Sequence, residues 1–307
     1  MNDFHGRTAV ITGAASGFGL ESSRIAARAG MNVVMADVQA DALELAAAEV
    51  ARLGAKVLPF RLDVSRAEAG DALAKATRER FGVPHLVFNN AGVGGTGGLI
   101  WESSLKDWAW VIGVNLWGVI HGLRAFTPMM LAAAQADPGF EGHIVNTASM
   151  AGMLSPPNMG VYNATKHAVV TISETLYQDL ALVTDRVHAH VLCPFFVPTG
   201  IHLSHRNRPD GLRDADAKPT PSQLIAQAMS SKAVTSGKVT AADVAQKVFD
   251  ALRDNAFYIF SHPRSLGTVQ QRMEDIVQLR NPSDPFKDRP EVGTQLRAAL
   301  RGEAAAG

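Results

Sequence analysis

The chain of 307 residues has almost no cysteine: Cys193 stands alone. A single thiol forms no intrachain disulfide and supplies no thiolate cluster for a metal, and it suits a reducing compartment. An excess of charge is also missing, with 29 Lys and Arg against 29 Asp and Glu. No global field therefore draws the chain to nucleic acid or to an anionic bilayer. Long hydrophobic runs are lacking too. One long uncharged stretch, Phe81 to Trp101, holds six glycines, a proline and two asparagines, and a bilayer span tolerates few of these. The opening residues Met1 to Arg7 lack the basic start and apolar stretch of a secretion signal. These absences predict a cytoplasmic chain without a membrane span, whose partner is a small molecule.

What is present is an ordinary globular balance, 47% hydrophobic and 19% charged, which excludes disorder and fibrous classes. Short β-branched or apolar runs alternate with longer Ala-rich amphipathic segments. That alternation predicts an α/β fold, a doubly wound parallel sheet of Rossmann type with helices on both faces. Strands are expected at Thr8–Ile11, Asn32–Ala36, Lys56–Arg61, Leu86–Phe88, Ile144–Asn146, His188–Leu192 and Phe257–Phe260. Helices are expected at Gly17–Ala29, Gln39–Leu53, Ala67–Phe81, Leu105–Ala134, Val161–Val183 and Ala241–Arg253. Ser104 with Asp107, and Thr240 with Asp243, have capping-box spacing. Pro128 is expected to kink or end its helix. Residues 199–237, with Pro209, Pro219 and Pro221, read as an irregular substrate lid. The main domain is set at 1–263 and a C-terminal extension at 264–307, with a helix near Thr268–Leu279 and then a Pro-rich stretch and a loose Ala/Gly end.

The first strand runs into Thr12-Gly13-Ala14-Ala15-Ser16-Gly17-Phe18-Gly19, with a helix following. Glycines here let the backbone close on a pyrophosphate, and the helix N-terminus offers free N–H groups. Asp37 closes the second strand 24 residues after Gly13. A carboxylate there bonds both hydroxyls of an adenosine ribose and repels a 2′-phosphate, and neither Ser16 nor Val38 supplies a cation to hold one. NAD is expected over NADP. No Gly-Lys-Ser/Thr sequence follows the turn, which excludes a P-loop; a methyltransferase binding S-adenosylmethionine could share a glycine turn and an acid.

Tyr162 and Lys166 lie four apart on one predicted helix and so leave it on the same face. Ser149 follows the carboxyl end of a strand, where ligands of open parallel sheets collect. A free phenol ionises near pH 10, about 4 kcal/mol from serving as a base at neutrality. The Lys166 ammonium and an oxidised nicotinamide ring together could supply that difference. Taken singly, each residue has a plainer reading: a packing aromatic, a surface charge, a helix cap.

In order along the chain, Thr12-Gly-x-x-x-Gly17-x-Gly19, Asp63, Asn89-Asn90-Ala91-Gly92, Asn115, Ser149 and Tyr162-x-x-x-Lys166 resemble the short-chain dehydrogenase/reductase family over about residues 5 to 260. The methyltransferase reading has no use for the Ser, Tyr and Lys set. The resemblance implies Tyr162 as general acid/base, Ser149 on the substrate oxygen, Lys166 on the ribose and beside the phenol, and Asn115 in a water-linked proton path. It implies a cofactor site at Gly13, Ser16, Gly17, Phe18, Gly19, Asp37, Asp63, Val64, Asn90, Ala91, Gly92, Tyr162, Lys166, Pro194, Val197 and Thr199, with Asp63 on the adenine, no metal, and a homodimer or homotetramer built on the two long central helices, with Trp108, Val111 and Val114 compatible. The pattern departs from the family at Phe195, where a glycine is usual, so Phe195 is expected to alter the backbone or fill space near the nicotinamide. Length and the segment Ile201–Pro209 further resemble members that oxidise lignin-derived aryl-glycerol ether alcohols.

Ala151, Met153, Leu154, Pro156, Phe195, Phe196 and Ile201 are expected to line a mostly apolar pocket for a bulky secondary alcohol or ketone. His202, His205, Arg206 and Arg208 sit at the start of the lid without a metal-ligand pattern. An NADPH-dependent ketone reductase and a non-catalytic NAD-binding regulator stand as alternatives.

Overall fold

The computed structural model describes residue 1, residues 3–213 and residues 218–302. The lid and extension expectations at 214–217 and 303–307, including the loose Ala/Gly end, lie outside the described residues. Seven strands form one sheet: β1 (Thr8–Thr12), β2 (Asn32–Asp37), β3 (Val57–Arg61), β4 (Leu86–Asn89), β5 (Gly142–Thr147), β6 (Val187–Cys193) and β7 (Tyr258–Phe260). Their order is β3-β2-β1-β4-β5-β6-β7 and every pairing is parallel. All seven expected strands are found.

Parallel strands need long crossovers, and helices supply them. These are α1 (Gly17–Arg28), α2 (Ala40–Ala51), α3 (Ala67–Phe81), α4 (Leu105–Ile112), α5 (Gly118–Ala136), α6 (Gly160–Val183), α7 (Pro221–Thr235) and α8 (Ala241–Asp254), followed by α9 (Leu266–Val277) and α10 (Pro290–Arg301). Successive strand residues point to opposite faces. Val33 and Met35 accordingly join the core under α1, α2 and α8, with Leu43, Val248 and Phe249. Val34 and Ala36 join the core under α3 and α5, with Leu73, Phe126 and Met130. Pro59, which lacks a ladder donor, lies in the edge strand β3.

The boundaries differ from expectation in three places. The segment expected as one helix from Leu105 to Ala134 is divided by a π-helical turn at Gly113–Trp117 and runs on to Ala136. Pro128 sits inside α5 without ending it. The region expected to be irregular contains α7, which opens on Thr220 with Gln223 closing a capping box and Pro221 in the first turn. Proline at that position is preorganised for helix and loses no hydrogen bond, so what looks like a breaker is a start signal. Residues 290–301, beyond the Pro-rich stretch, also form a helix that the sequence reading does not mark.

Both anticipated capping boxes are present: Ser104 with Asp107, and Thr240 with Asp243. Thr240 Oγ1 accepts from Asp243 N at 3.1 Å, and Thr240 N donates to Asp243 Oδ2 at 2.9 Å. Thr240→Ala removes the first bond. The expected loss is about 1 kcal/mol of stability, read as a lower denaturant midpoint with an unchanged slope; an unchanged midpoint would show that α8 is held by its packing alone.

Candidate active site

Strand order reverses beside β1, and ligands of such sheets collect at the carboxyl ends flanking that point. β1 ends on Thr12, whose Oγ1 accepts from Asn90 N at 3.0 Å and Ala91 N at 3.1 Å. Asn90 Nδ2 returns a bond to Thr12 O at 2.9 Å. The loops after β1 and β4 are thereby tied together. Gly13 has φ +66°, and a Cβ there would lie 2.9 Å from Ala91 Cα. A Cβ on Gly19 would lie 2.2 Å from Gly13 O. Only glycine fits either place, and the resulting cradle sits at the N-terminus of α1, whose cap Ser16 makes no side-chain bond and whose first turn carries no acid. A pyrophosphate fits such a helix start.

At the next strand end Asp37 accepts from Ala15 N through Oδ2 and from Gln39 N through Oδ1, both at 3.0 Å. Asp63 Oδ1 accepts from Ser65 N at 3.0 Å and from Ser65 Oγ at 2.7 Å. These carboxylates face a cleft of about 230 Å³. Its wall includes Gly13, Ser16, Gly17, Phe18, Asp37, Asp63, Val64, Asn90, Ala91, Gly92, Tyr162, Lys166, Pro194 and Thr199. Four expected site residues are not on that wall. Gly19 is packed behind Gly13, Val197 is in the core, and Asn115 and Ser149 stand one layer back. Arg206 is on the wall and was not anticipated there as a cofactor residue; its Nε donates to Gln39 Oε1 at 3.2 Å across 167 residues of sequence. No short motif signals a contact of that separation.

The π-helical turn places Asn115 fully inside the protein. Its Oδ1 accepts from Val93 N at 2.8 Å, and its Nδ2 donates to Val93 O at 3.0 Å and Thr165 Oγ1 at 3.3 Å. Single π-turns of this kind are frequent at functional sites. One turn of α6 aligns Tyr162 with Lys166. The Lys166 Nζ donates to Thr147 O at 2.8 Å and lies 5.6 Å from the Tyr162 ring centroid. Ser149 donates to Pro194 O at 3.3 Å, accepts from Ala151 N at 3.1 Å and also hydrogen-bonds the Tyr162 phenol.

Burial governs the ionisation of this pair. It pushes the Tyr162 phenol up to about 12, a rise that the Ser149 hydrogen bond opposes, and it pushes the Lys166 ammonium down to about 8. Lys166 does not offset that burial by itself; the sequence expectation joins it with an oxidised nicotinamide ring. The ammonium is committed to the Thr147 carbonyl and held over the ring, so desolvation dominates.

Tyr162, Trp110 and Ile201 also form part of a second cavity of about 270 Å³, so Tyr162 belongs to both. Among the residues expected to line an apolar substrate pocket, only Ile201 does so. Ala151 and Met153 are buried, and Leu154 packs on the core cluster that holds Met153. The helical turn Met150–Gly152 carries them inward, against α6. Phe195 is 40% exposed and packs on Phe196 and His262 instead of filling space near the cleft. The cavity wall is mixed in character, with Asp107, Asn158, His202, His205, Arg208 and Gln223 beside Val111, Met159 and Ala226. Val111 is buried in the core, with Trp108 and Val114 packed against it, so core packing accounts for these three.

At the opposite end of the sheet, Glu141, His143 and His188 bring ligand atoms within 4.8 Å of one another. The carboxylate already pairs with the Met1 ammonium at 2.9 Å and Arg7 at 3.4 Å, and burial keeps His143 uncharged.

A family model described as short chain dehydrogenase matches residues 7–209. The chain is 52% identical to a short chain dehydrogenase/reductase from Burkholderia phymatum, whose crystal structure is in complex with NAD; the two superpose with a TM-score of 0.89 over 93% of this chain and 99% of that one. It is 33% identical to the CLA biosynthesis dehydrogenase/reductase of Lactiplantibacillus plantarum, over 90% of this chain and 95% of the relative. The C alpha-dehydrogenase of Sphingobium sp. is 32% identical over 95% of this chain and 93% of its own length. On the fold, the ordered motifs and these likenesses, the chain belongs to the short chain dehydrogenase family.

Proposed function

We propose that the chain is an NAD-dependent oxidoreductase that transfers a hydride between a secondary alcohol or ketone and nicotinamide, with Tyr162 as general acid/base. The observation that carries this reading is the placement of Tyr162 on the wall common to both cavities, one turn from Lys166. One cavity suits the dinucleotide and the other the alcohol. The NAD complex of the Burkholderia relative supports the first assignment, and the name of the Sphingobium relative supports the dehydrogenase class.

In this reading Gly13, Ser16, Gly17, Phe18 and Gly19 hold the pyrophosphate. Asp37 takes the adenosine ribose, Asp63 and Val64 the adenine, and Asn90, Ala91 and Gly92 the adjoining surface. Lys166 and Tyr162 hold the nicotinamide ribose, with Pro194, Val197 and Thr199 at the carboxamide end. When bound, NAD supplies the hydride acceptor. The chain's own residues manage the proton: Ser149 Oγ orients the substrate oxygen, Tyr162 takes the hydroxyl proton, Lys166 places a cation beside the phenol, and Asn115 fixes the path by which the proton leaves. Reduction runs through the same groups in reverse. The catalytic unit is 1–263 with 264–307 as an extension. A cytoplasmic location rests on the lone, buried, free Cys193; no helix among the described residues is long and apolar enough to cross a membrane. Exposed Trp117, Tyr177, Leu182 and Val183 on and beside α5 and α6 support a homodimer or homotetramer.

The test follows reduced nicotinamide by its near-ultraviolet absorbance, with NAD and NADP in parallel, against secondary alcohols. Alcohol oxidation needs the phenolate, and burial keeps Tyr162 protonated up to about 12. Below that value the base form gains tenfold per pH unit, so the oxidation rate should climb steeply from about pH 6 toward 8. The slope should flatten once Lys166 loses its proton near 8. Ketone reduction uses the protonated phenol and should show no such climb. A flat oxidation profile over that interval would remove Tyr162 from the role.

A further inference from the structure

We infer that Ser261, with His262 behind it, is a positioning residue for Ser149, acting through the peptide unit that joins Pro194 to Phe195. The inference rests on the dehydrogenase reading above and adds to it a residue from outside the Ser, Tyr and Lys set.

The β6–β7 ladder ends where Cys193 pairs with Phe260. One residue on, Pro194 has no N–H to donate, and the next amide, Phe195 N, is taken by a side chain: Ser261 Oγ accepts from it at 2.8 Å. The other end of the same peptide unit faces the active site, where Pro194 O accepts from Ser149 Oγ at 3.3 Å and from Met150 N at 2.9 Å. Among the described residues no peptide bond is cis, and a trans unit is a rigid plane with its N–H and C=O on opposite sides. Holding the amide end at Ser261 therefore aims the carbonyl end at Ser149.

Ser261 is buried and itself held. The Phe195 amide can only donate, so Ser261 Oγ accepts there and its own proton goes to His262 Nδ1 at 2.7 Å. Burial, joined by Lys247, keeps His262 below the usual imidazole range, and the neutral ring is the form with a lone pair to offer. The His262 carbonyl is tied down by Ser265 N at 3.0 Å. The Phe195 ring meets the His262 ring edge-on, with centroids 5.8 Å apart. Phe195, which departs from the family pattern, thus serves twice: its amide feeds Ser261 and its ring braces the imidazole. On the active-site side, Ser149 Oγ accepts from Ala151 N at 3.1 Å and hydrogen-bonds the Tyr162 phenol. Its bond to Pro194 O is long for a hydroxyl, so a further shift of roughly half an ångström breaks it and lets the hydroxyl turn away from the phenol.

The experiment compares the native chain with Ser261→Ala, Ser261→Thr, Ser149→Ala and the double variant carrying both alanines. Single-turnover reduction of NAD by cyclohexanol, octan-2-ol and 1-phenylethanol is followed with enzyme in excess, which reads slow variants as well as fast ones. NAD binding is titrated directly, and rates are expressed per NAD-binding site, so a loss of folded protein does not register as a loss of rate. A misplaced group costs up to about 10²-fold; with Met150 N still holding Pro194 O, Ser261→Ala should slow the reaction about tenfold and leave the Kd for NAD within about threefold of native. Threonine keeps the hydroxyl, so Ser261→Thr should recover all but about twofold of the rate. In the Ser149→Ala background, Ser261→Ala should cost less than about twofold, because a residue that acts through Ser149 has nothing left to position, whereas one that only supports the fold costs the same in both backgrounds. Four results would overturn the positioning role and leave the dehydrogenase reading standing: a native rate in Ser261→Ala, no recovery with threonine, the full loss repeated in the Ser149→Ala background, or an NAD affinity that falls along with the rate. No turnover of the three alcohols by the native chain, with either nicotinamide, would overturn the dehydrogenase reading, and the role of Ser261 with it.

Discussion

Tyr162→Phe is expected to lower kcat for alcohol oxidation by about 10²–10⁴-fold, the usual contribution of a positioned general base, while the affinity for NAD stays within a few-fold of the native value. The substitution removes one oxygen atom. The phenyl ring that remains still packs under the Lys166 ammonium, which lies 5.6 Å from the ring centroid, and still fills the wall between the two cavities. The Lys166 bond to Thr147 O does not involve the phenol. Ser149 loses one partner yet keeps its bonds to Pro194 O and Ala151 N. What disappears is the proton acceptor. Steady-state oxidation rates, set beside a direct titration of NAD binding, separate the two roles. A non-catalytic NAD-binding regulator would show binding in both proteins and turnover in neither. A variant that binds NAD and keeps the full rate would require another base within reach of the alcohol.

The parts of this site that the sequence reveals are those fixed by local geometry. Gly13 and Gly19 are legible because only glycine survives their close contacts, and Tyr162 and Lys166 because one helical turn aligns them. Thr240 and Asp243 are legible because a capping box is a three-residue spacing. The substrate side is different. Arg208 meets Asp107 across 101 residues, and Arg206 meets Gln39 across 167, and neither pairing leaves a spacing to read. Apolar residues after Ser149 read equally well as pocket or core; the turn at Met150–Gly152 sends Ala151 and Met153 to the core, and the cavity is walled instead from the loop after β4 and from the lid. The lid reads as irregular because Pro219 and Pro221 look like breakers in the sequence, whereas Pro221 occupies the first turn of α7.

Asp37→Ser should shift the ratio of kcat/KM for NADP over NAD upward by at least about 10- to 100-fold. The lower estimate comes from a single charge-assisted bond of about 1.5–3 kcal/mol between a carboxylate and the adenosine ribose. Removal of like-charge repulsion against a 2′-phosphate adds to it. The structure supplies a reason that the sequence did not offer: Arg206 lies on the same cleft wall, with its Nε on Gln39 Oε1 at 3.2 Å, so a cation stands near the place Asp37 vacates. Serine is preferable to alanine because Asp37 accepts from both Ala15 N and Gln39 N. A serine hydroxyl can keep one of those bonds, whereas alanine orphans both and confounds specificity with stability. Adding Arg206→Gln to Asp37→Ser should remove only the share of the NADP gain that the cation supplies and leave the NAD rate nearly where the single variant put it. Two results would refute the argument. A native chain that favours NADP would mean that Arg206 already outweighs Asp37, and a ratio unmoved by Asp37→Ser would mean that the acid serves only to brace Ala15 and Gln39.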